Sequence, residues 1–333
     1  MDFPWKLFID FGIIALALLL ATFIRSKVTF FQRYLIPNAL TAGFLLLPFY
    51  NYLAPVFSLS GEGLGGLVYH LLSLSFIAMT LRKTEGKEKP RGRAIFGTAT
   101  GIISQYALQS AIGLLLTLLF MSTFIPGLFP AFGMLLPLGF AQGPGQAFAI
   151  GQGWEPFGFL GGGSIGLTFA AVGFLLACFG GVFLINYGIR HNWITREALG
   201  GIDTRSVKSG IHPKGKTLPV GSRLTTESEA IDSFTYNLMY VLFTYFLTFL
   251  LLKLITVLLS FAGELGNDLA VNLWGISYIF AAILSLLMKK VLSLLKVDYT
   301  LDNGTLTRIS GTAVDLMVAA SIGAISIVIV VEY

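Results

Sequence analysis

The chain reads as an all-α polytopic membrane protein, on three observations. Of its 333 residues, 55% are hydrophobic and only 12% charged, where a soluble domain carries about 25% charged residues. The mean hydropathy is +0.80. Apolar runs of about 20 residues, the length that crosses a bilayer, recur from end to end. A transmembrane β-barrel would need short alternating strands, which the long continuous runs exclude. The same composition removes several function classes. The single cysteine, Cys178, allows no intramolecular disulfide, and the three histidines are scattered, which argues against a metal site. The net charge of +5 is explained by loop placement, so no nucleic-acid partner is expected. No nucleophile–base pair or phosphate loop stands out, and an enzyme is not expected; the Gly143-x-Gly145 pair lacks the strand and third glycine of a dinucleotide fingerprint.

The segments follow in order. Segment 1 covers about residues 8–24; its start lacks the basic region and cleavage site of a signal peptide and is read as a retained helix. Segment 2, 34–53, admits Pro37 in its first turn, and Ala42 and Gly43 suit close packing. Segment 3, 64–81, carries His70, Ser73 and Ser75 inside an apolar run and is followed by basic residues. Segment 4, 94–120, holds Gln105 and Gln109 four apart, on one face expected to point into the protein. Segment 6, 159–189, repeats small residues from Gly161 to Gly181, a pattern for tight helix contact. A polar stretch, 191–232, reads as a linker. Segments 7, 8 and 9 are placed at 234–261, 269–288 and 311–331.

Between segments 4 and 6 lies the least ordinary stretch, 131–155. Residues 139–153 alone hold three glutamines, five glycines and Pro144. Backbone that cannot pair in lipid survives at membrane depth only when buried in protein or lining a wet cavity. Each arm beside Gly143-Pro144-Gly145 is about 10 to 13 residues, roughly 15 to 20 Å as helix, too short to cross alone. The segment is either one broken crossing or a hairpin that returns to its own side, and charge decides between them. Lys and Arg collect in cytoplasmic loops. With a hairpin and an outside N-terminus, residues 25–33, 82–93, 190–223 and the set Lys289, Lys290, Lys296 and Arg308 all face inside, which is 20 of the 22 basic residues. A full crossing would put the 190–223 loop outside. The hairpin is therefore expected. Segment 7 then restarts in the opposite sense to segment 1, and 68–78 faintly resembles 313–323. Inverted repeats with interrupted helices mark secondary transporters. The expected domains are a first membrane repeat at 1–190, with five or six spans and the hairpin, a cytoplasmic linker at 191–232, and a partial second repeat at 233–333. Residues 94–190 have no counterpart after segment 9, so the second repeat reads as truncated.

The run Lys27 to Pro37 with Ala42 and Gly43 resembles the first loop and second helix of the sodium/glutamate symporter family. The Gly143-Pro144-Gly145-Gln146-Ala147 stretch resembles that family's glycine-rich re-entrant motif, with Pro144 and Gln146 where the family carries His and Thr. The small-residue segment 6 and the 313–326 helix also fall where the family has them. The resemblance implies a sodium-coupled symporter of glutamate or a related amino acid or small organic anion, with two inverted halves, in a bacterial inner membrane, as a homodimer. The alternative is a non-glutamate carrier or a channel-like module without coupled transport. Expected substrate-binding residues are Gln142, Gly143, Pro144, Gly145, Gln146 and Ala147: amides at the start of a half-helix attract a carboxylate, and the glutamines either contact substrate or tie off the broken backbone. Sodium, the co-transported ion, prefers oxygen, so Ser73, Ser75, Asp315 and Ser321 are its candidates with carbonyls freed at the break. Asp315, the carboxylate deepest in an apolar run, is a sodium ligand, a proton carrier or a satisfied structural acid.

Overall fold

The computed structural model describes residues 5–83, 92–193, 208–212 and 219–332, all helix and connecting turns with no strand among them. Lys87, Lys89, Arg91, Arg196, Arg205, Lys214 and Lys216, which enter the charge count, lie outside the described residues. Among the described residues, seven helices are long and apolar enough to cross a membrane, the architecture of a multi-pass membrane protein. They are α1 (Lys6–Lys27), α3 (Asn38–Pro48, extended by a π turn and a 3-10 turn to Phe57), α4 (Glu62–Leu81), α5 (Gly92–Thr123), α8 (Gly162–Arg190), α9 (Ser233–Ser260) and α11 (Ser277–Leu294). Short α2 (Thr29–Arg33) joins α1 to α3. Between α5 and α8 come two short arms, α6 (Phe132–Gln142) and α7 (Pro144–Gly153). Helix α10 (Glu264–Gly275) precedes α11, and α12 (Asn303–Gly323) is followed by α13 (Ile327–Glu332).

Two expected boundaries are corrected. Segment 8 is not one span at 269–288: the chain breaks after Gly275, and the long helix begins at Ser277. Segment 9 does not begin at Gly311. Asp302 caps α12 eight residues earlier, its Oδ2 accepting from the Thr305 amide at 2.7 Å and the Thr305 hydroxyl at 2.9 Å, so a polar run read as loop is the first turns of a helix. The same helix stops at Gly323 and restarts at Ile327. The linker's described end, 219–232, is pinned rather than loose: Thr225 donates to the Thr300 carbonyl at 2.6 Å, and the Arg223 amide to Asp302 at 3.2 Å.

The core is built around α4 and α12, which run antiparallel. Ser75 pairs with Ser310 at 3.0 Å, and the Lys83 amide donates to Asn303 at 2.7 Å. At the other end Gly323 sits against Leu46 and Leu64. Helices α3 and α1 complete this cluster, with Gly43 against Ile322 and Ile14, Leu40 and Leu64 sealed from solvent.

The basic loop ends gather at one end of the bundle. Arg25 donates to the Ile36 carbonyl at 2.7 Å and to the Lys208 carbonyl at 3.3 Å. Lys83 pairs with Asp298 at 3.4 Å, Lys289 donates to the Arg82 carbonyl, and Arg308 donates to the Gly221 carbonyl at 3.3 Å. Phe179 of α8 packs on Phe30 and Tyr34 at this end, with centroids 6.0 and 5.0 Å apart.

Candidate functional site

The arms α6 and α7 form a hairpin whose mouth lies at the end opposite the basic loops. Before α6, Phe129 stacks on Phe159, beyond α7, with centroids 4.7 Å apart, and lies 5.7 Å from Trp154. Entry and exit are therefore neighbours. Glycines let the hairpin lie flush on its supports. A methyl at Gly133 would overlap the Gly113 carbonyl of α5. Methyls at Gly162 and Gly166 of α8 would overlap the carbonyls of Gly151 and Ala147 on α7. Such close backbone approach is what small residues permit between membrane helices. The tip reaches the middle of α4, where Gly145 rests on Leu72 and Gly65 receives the Phe148 ring.

At the tip, Gly143 has φ +105° and ψ −179°, a region essentially closed to residues with a β-carbon. Pro144 then opens α7 at its first position, where no amide is required. The first amides of a helix have no acceptor in its own ladder, and Gly143 has no side chain to cap those of α7. The half-helix ends thus present a positive and a negative pole a few residues apart. Gln146 is 5% exposed, and its Oε1 is buried with no partner. Gln142 and Gln146 line a cavity of about 310 Å³ together with Ala141, Phe76 of α4, Tyr106 of α5 and Tyr278 of α11. The Phe76 and Tyr278 rings lie 5.3 Å apart. Carbonyl, amide and phenol groups fill this lining with no basic or acidic side chain. It suits a small ligand held by hydrogen bonds and aromatic contact, with unpaired oxygens for a cation.

Of the expected substrate residues, the structure brings Gln142 and Gln146 to the cavity, while Gly143, Pro144 and Gly145 build the turn and Ala147 is buried against α8. The expected ion ligands are not brought together. Ser73 faces Ser277 at 3.4 Å, Ser75 is spent on Ser310, and Ser321 donates to the Val318 carbonyl of its own helix at 2.8 Å. Asp315 is exposed on α12, with no hydrogen bond or ion pair among the described residues. The shared inward face of Gln105 and Gln109 is corrected too: Gln105 is exposed, and only Gln109 turns in, its Oε1 buried and unpartnered. This follows from α5 resting on the hairpin alone, so that only a narrow stripe of it is covered.

Sequence reasoning missed three features. Tyr106 and Tyr278 looked like ordinary apolar-run aromatics. Asp10, near the start of α1, is 3% exposed and accepts from the Tyr50 hydroxyl at 2.7 Å. The interruption after α12 is also tied off, with the Asn51 amide accepting from Ile327 at 2.9 Å and donating to the Ile325 carbonyl at 2.8 Å.

No protein-family model, curated protein or solved structure matches this chain.

Proposed function

We propose that the chain is a sodium-coupled secondary transporter of glutamate or a related amino acid or small organic anion. The observation that carries this reading is the hairpin tip, where the uncapped start of a half-helix and the orphan Gln146 Oε1 meet at one cavity. Unpaired polar groups in a buried place are costly unless a ligand or water meets them. Broken helices with their poles at mid-depth are how secondary carriers hold a carboxylate and its coupling ion. In this reading the amides of Gly145 and Gln146 take the carboxylate, and Tyr106 and Tyr278 orient the rest of the substrate. Sodium is held by the Ala141 and Gln142 carbonyls and Gln146 Oε1. The basic end faces the cytoplasm of a bacterial inner membrane, and the hairpin enters and leaves from outside. The resemblance of 27–37 and 143–147 to the sodium/glutamate symporters agrees with this assignment. Two inverted halves and a homodimer belong to the same proposal.

The lining offers no cationic side chain to a second carboxylate, and that favours one alternative, a carrier of monoanions or zwitterions other than glutamate. Uptake of labelled glutamate and of neutral amino acids into proteoliposomes, with and without a sodium gradient, decides. Saturable uptake that collapses without the gradient is expected. Flux that neither saturates nor follows the gradient would mean a channel-like module.

A further inference from the structure

A second cavity, of about 360 Å³, lies at the basic end between the close of α4, the last turns of α11 and the loop that follows. Its polar lining is Lys83, Lys289, Lys290, Ser293 and Asp298. Asp298 is already paired with Lys83 at 3.4 Å, which leaves two lysine charges with no acidic partner among the described residues. Lys289 spends one N–H on the Arg82 carbonyl, and an ammonium has three to give. Lys290 is exposed and has no hydrogen bond or ion pair among the described residues. The rest of the lining is apolar, and two of its leucines, Leu286 and Leu294, are 58% and 72% exposed. They continue the outer surface of a helix long and apolar enough to span the bilayer.

We propose that this cavity binds an anionic phospholipid, with its phosphodiester on Lys289 and Lys290 and an acyl chain along Leu286 and Leu294. The general bias of lysine toward one side of a membrane explains basic residues at this end. It does not explain why two of them border a hollow whose open wall is leucine. A phosphodiester between two ammonium groups makes charge-assisted hydrogen bonds, and basic pockets between helices at the cytoplasmic boundary suit anionic headgroups. A free phosphate would leave the leucine wall in contact with water. A zwitterionic headgroup would bring an ammonium beside Lys290 and find Asp298 already engaged. The site is remote from the hairpin cavity and does not depend on what is transported.

The test is thermal unfolding of the full chain in a neutral detergent with phosphatidylglycerol, phosphatidylcholine or free sn-glycerol 3-phosphate added. Phosphatidylglycerol is expected to raise Tm by several degrees in a saturable way, and the other two to leave it unmoved. The double variant Lys289→Gln, Lys290→Glu is expected to lose more than half of that shift. The control Lys27→Gln, Arg33→Gln, at the same end but outside the cavity, keeps it. If loss of the Arg82 contact unfolds the double variant, Lys290→Glu alone decides, because that side chain is exposed and unbonded. An equal shift with phosphatidylcholine, a shift with glycerol phosphate, or equal losses in the Lys290 and control variants would each overturn the proposal.

Discussion

Two interruptions of helix, one at Gly143 and one at 324–326, handle the same problem in opposite ways. After α12 side chains from elsewhere in the bundle close the gap. Asn51 bonds to both sides of the gap, and the Ser164 hydroxyl accepts from the Ser326 amide at 2.8 Å. At Gly143 no side chain caps the start of α7, and the buried Gln146 Oε1 beside it is left without a partner. A break closed by side chains is a structural joint. A break left open beside a cavity is a place for something else to bind, because an unmet buried group costs about 1–3 kcal/mol.

The contrast yields ordered expectations. Asn51→Leu removes the groups that close the outer joint, and should lower stability by about 2–4 kcal/mol. Unfolding in detergent would show it as a large drop in Tm, while substrate affinity per folded molecule stays unchanged. Gly143→Ala forces a β-carbon into a backbone region that excludes it, at about 1–3 kcal/mol, and should abolish uptake even where folded protein remains. Binding-competent Gly143→Ala would break the contrast outright. Asp302→Ala removes the cap of α12 and should cost about 1 kcal/mol at neutral pH. Burial alone would raise the Asp302 carboxyl, but bonds from Thr305, Arg223 and Gly304 hold it below its ordinary value. Its contribution is therefore present above that ordinary value and lost as pH falls through the lowered one. The Tm gap between wild type and variant should close in strongly acid buffer.

Gln146→Leu is the sharpest probe of the open break. Removing an orphan oxygen should leave Tm unchanged or slightly raised, while KM rises about tenfold, ~1.4 kcal/mol of lost binding. A fall in Tm with unaltered KM would make Gln146 a structural tie and erase the difference between the two breaks. Asp315→Asn is expected to do least. The side chain is exposed and unbonded, so stability should shift by less than about 0.5 kcal/mol, and the sodium dependence of uptake should hold. Loss of that dependence would move the ion from the hairpin tip to α12.

What the sequence made legible is what local chemistry dictates. Gly143-Pro144-Gly145 cannot continue a helix, and arms of that length cannot span a bilayer, so the hairpin followed. The charge count rests on where the basic residues fall, and Arg25, Lys83, Lys289 and Arg308 do lie at one end of the bundle. What stayed hidden depends on neighbours far along the chain. Asp10 and Asp315 both lie in largely apolar helices, yet one is sealed against Tyr50, 40 positions away, and the other faces outward. Their difference is the rotation of each helix about its axis, which packing sets and composition does not. The break after Gly275 carries no proline, and the start of α12 is hidden in polar residues that fold back on the pinned end of the linker.

The flush seating of α7 on α8 has a mechanical consequence. The carbonyls of Gly151 and Ala147 occupy the space that methyls on Gly162 and Gly166 would need, so there is no slack for one helix to slide along the other. A β-carbon at either glycine would have to wedge the pair apart.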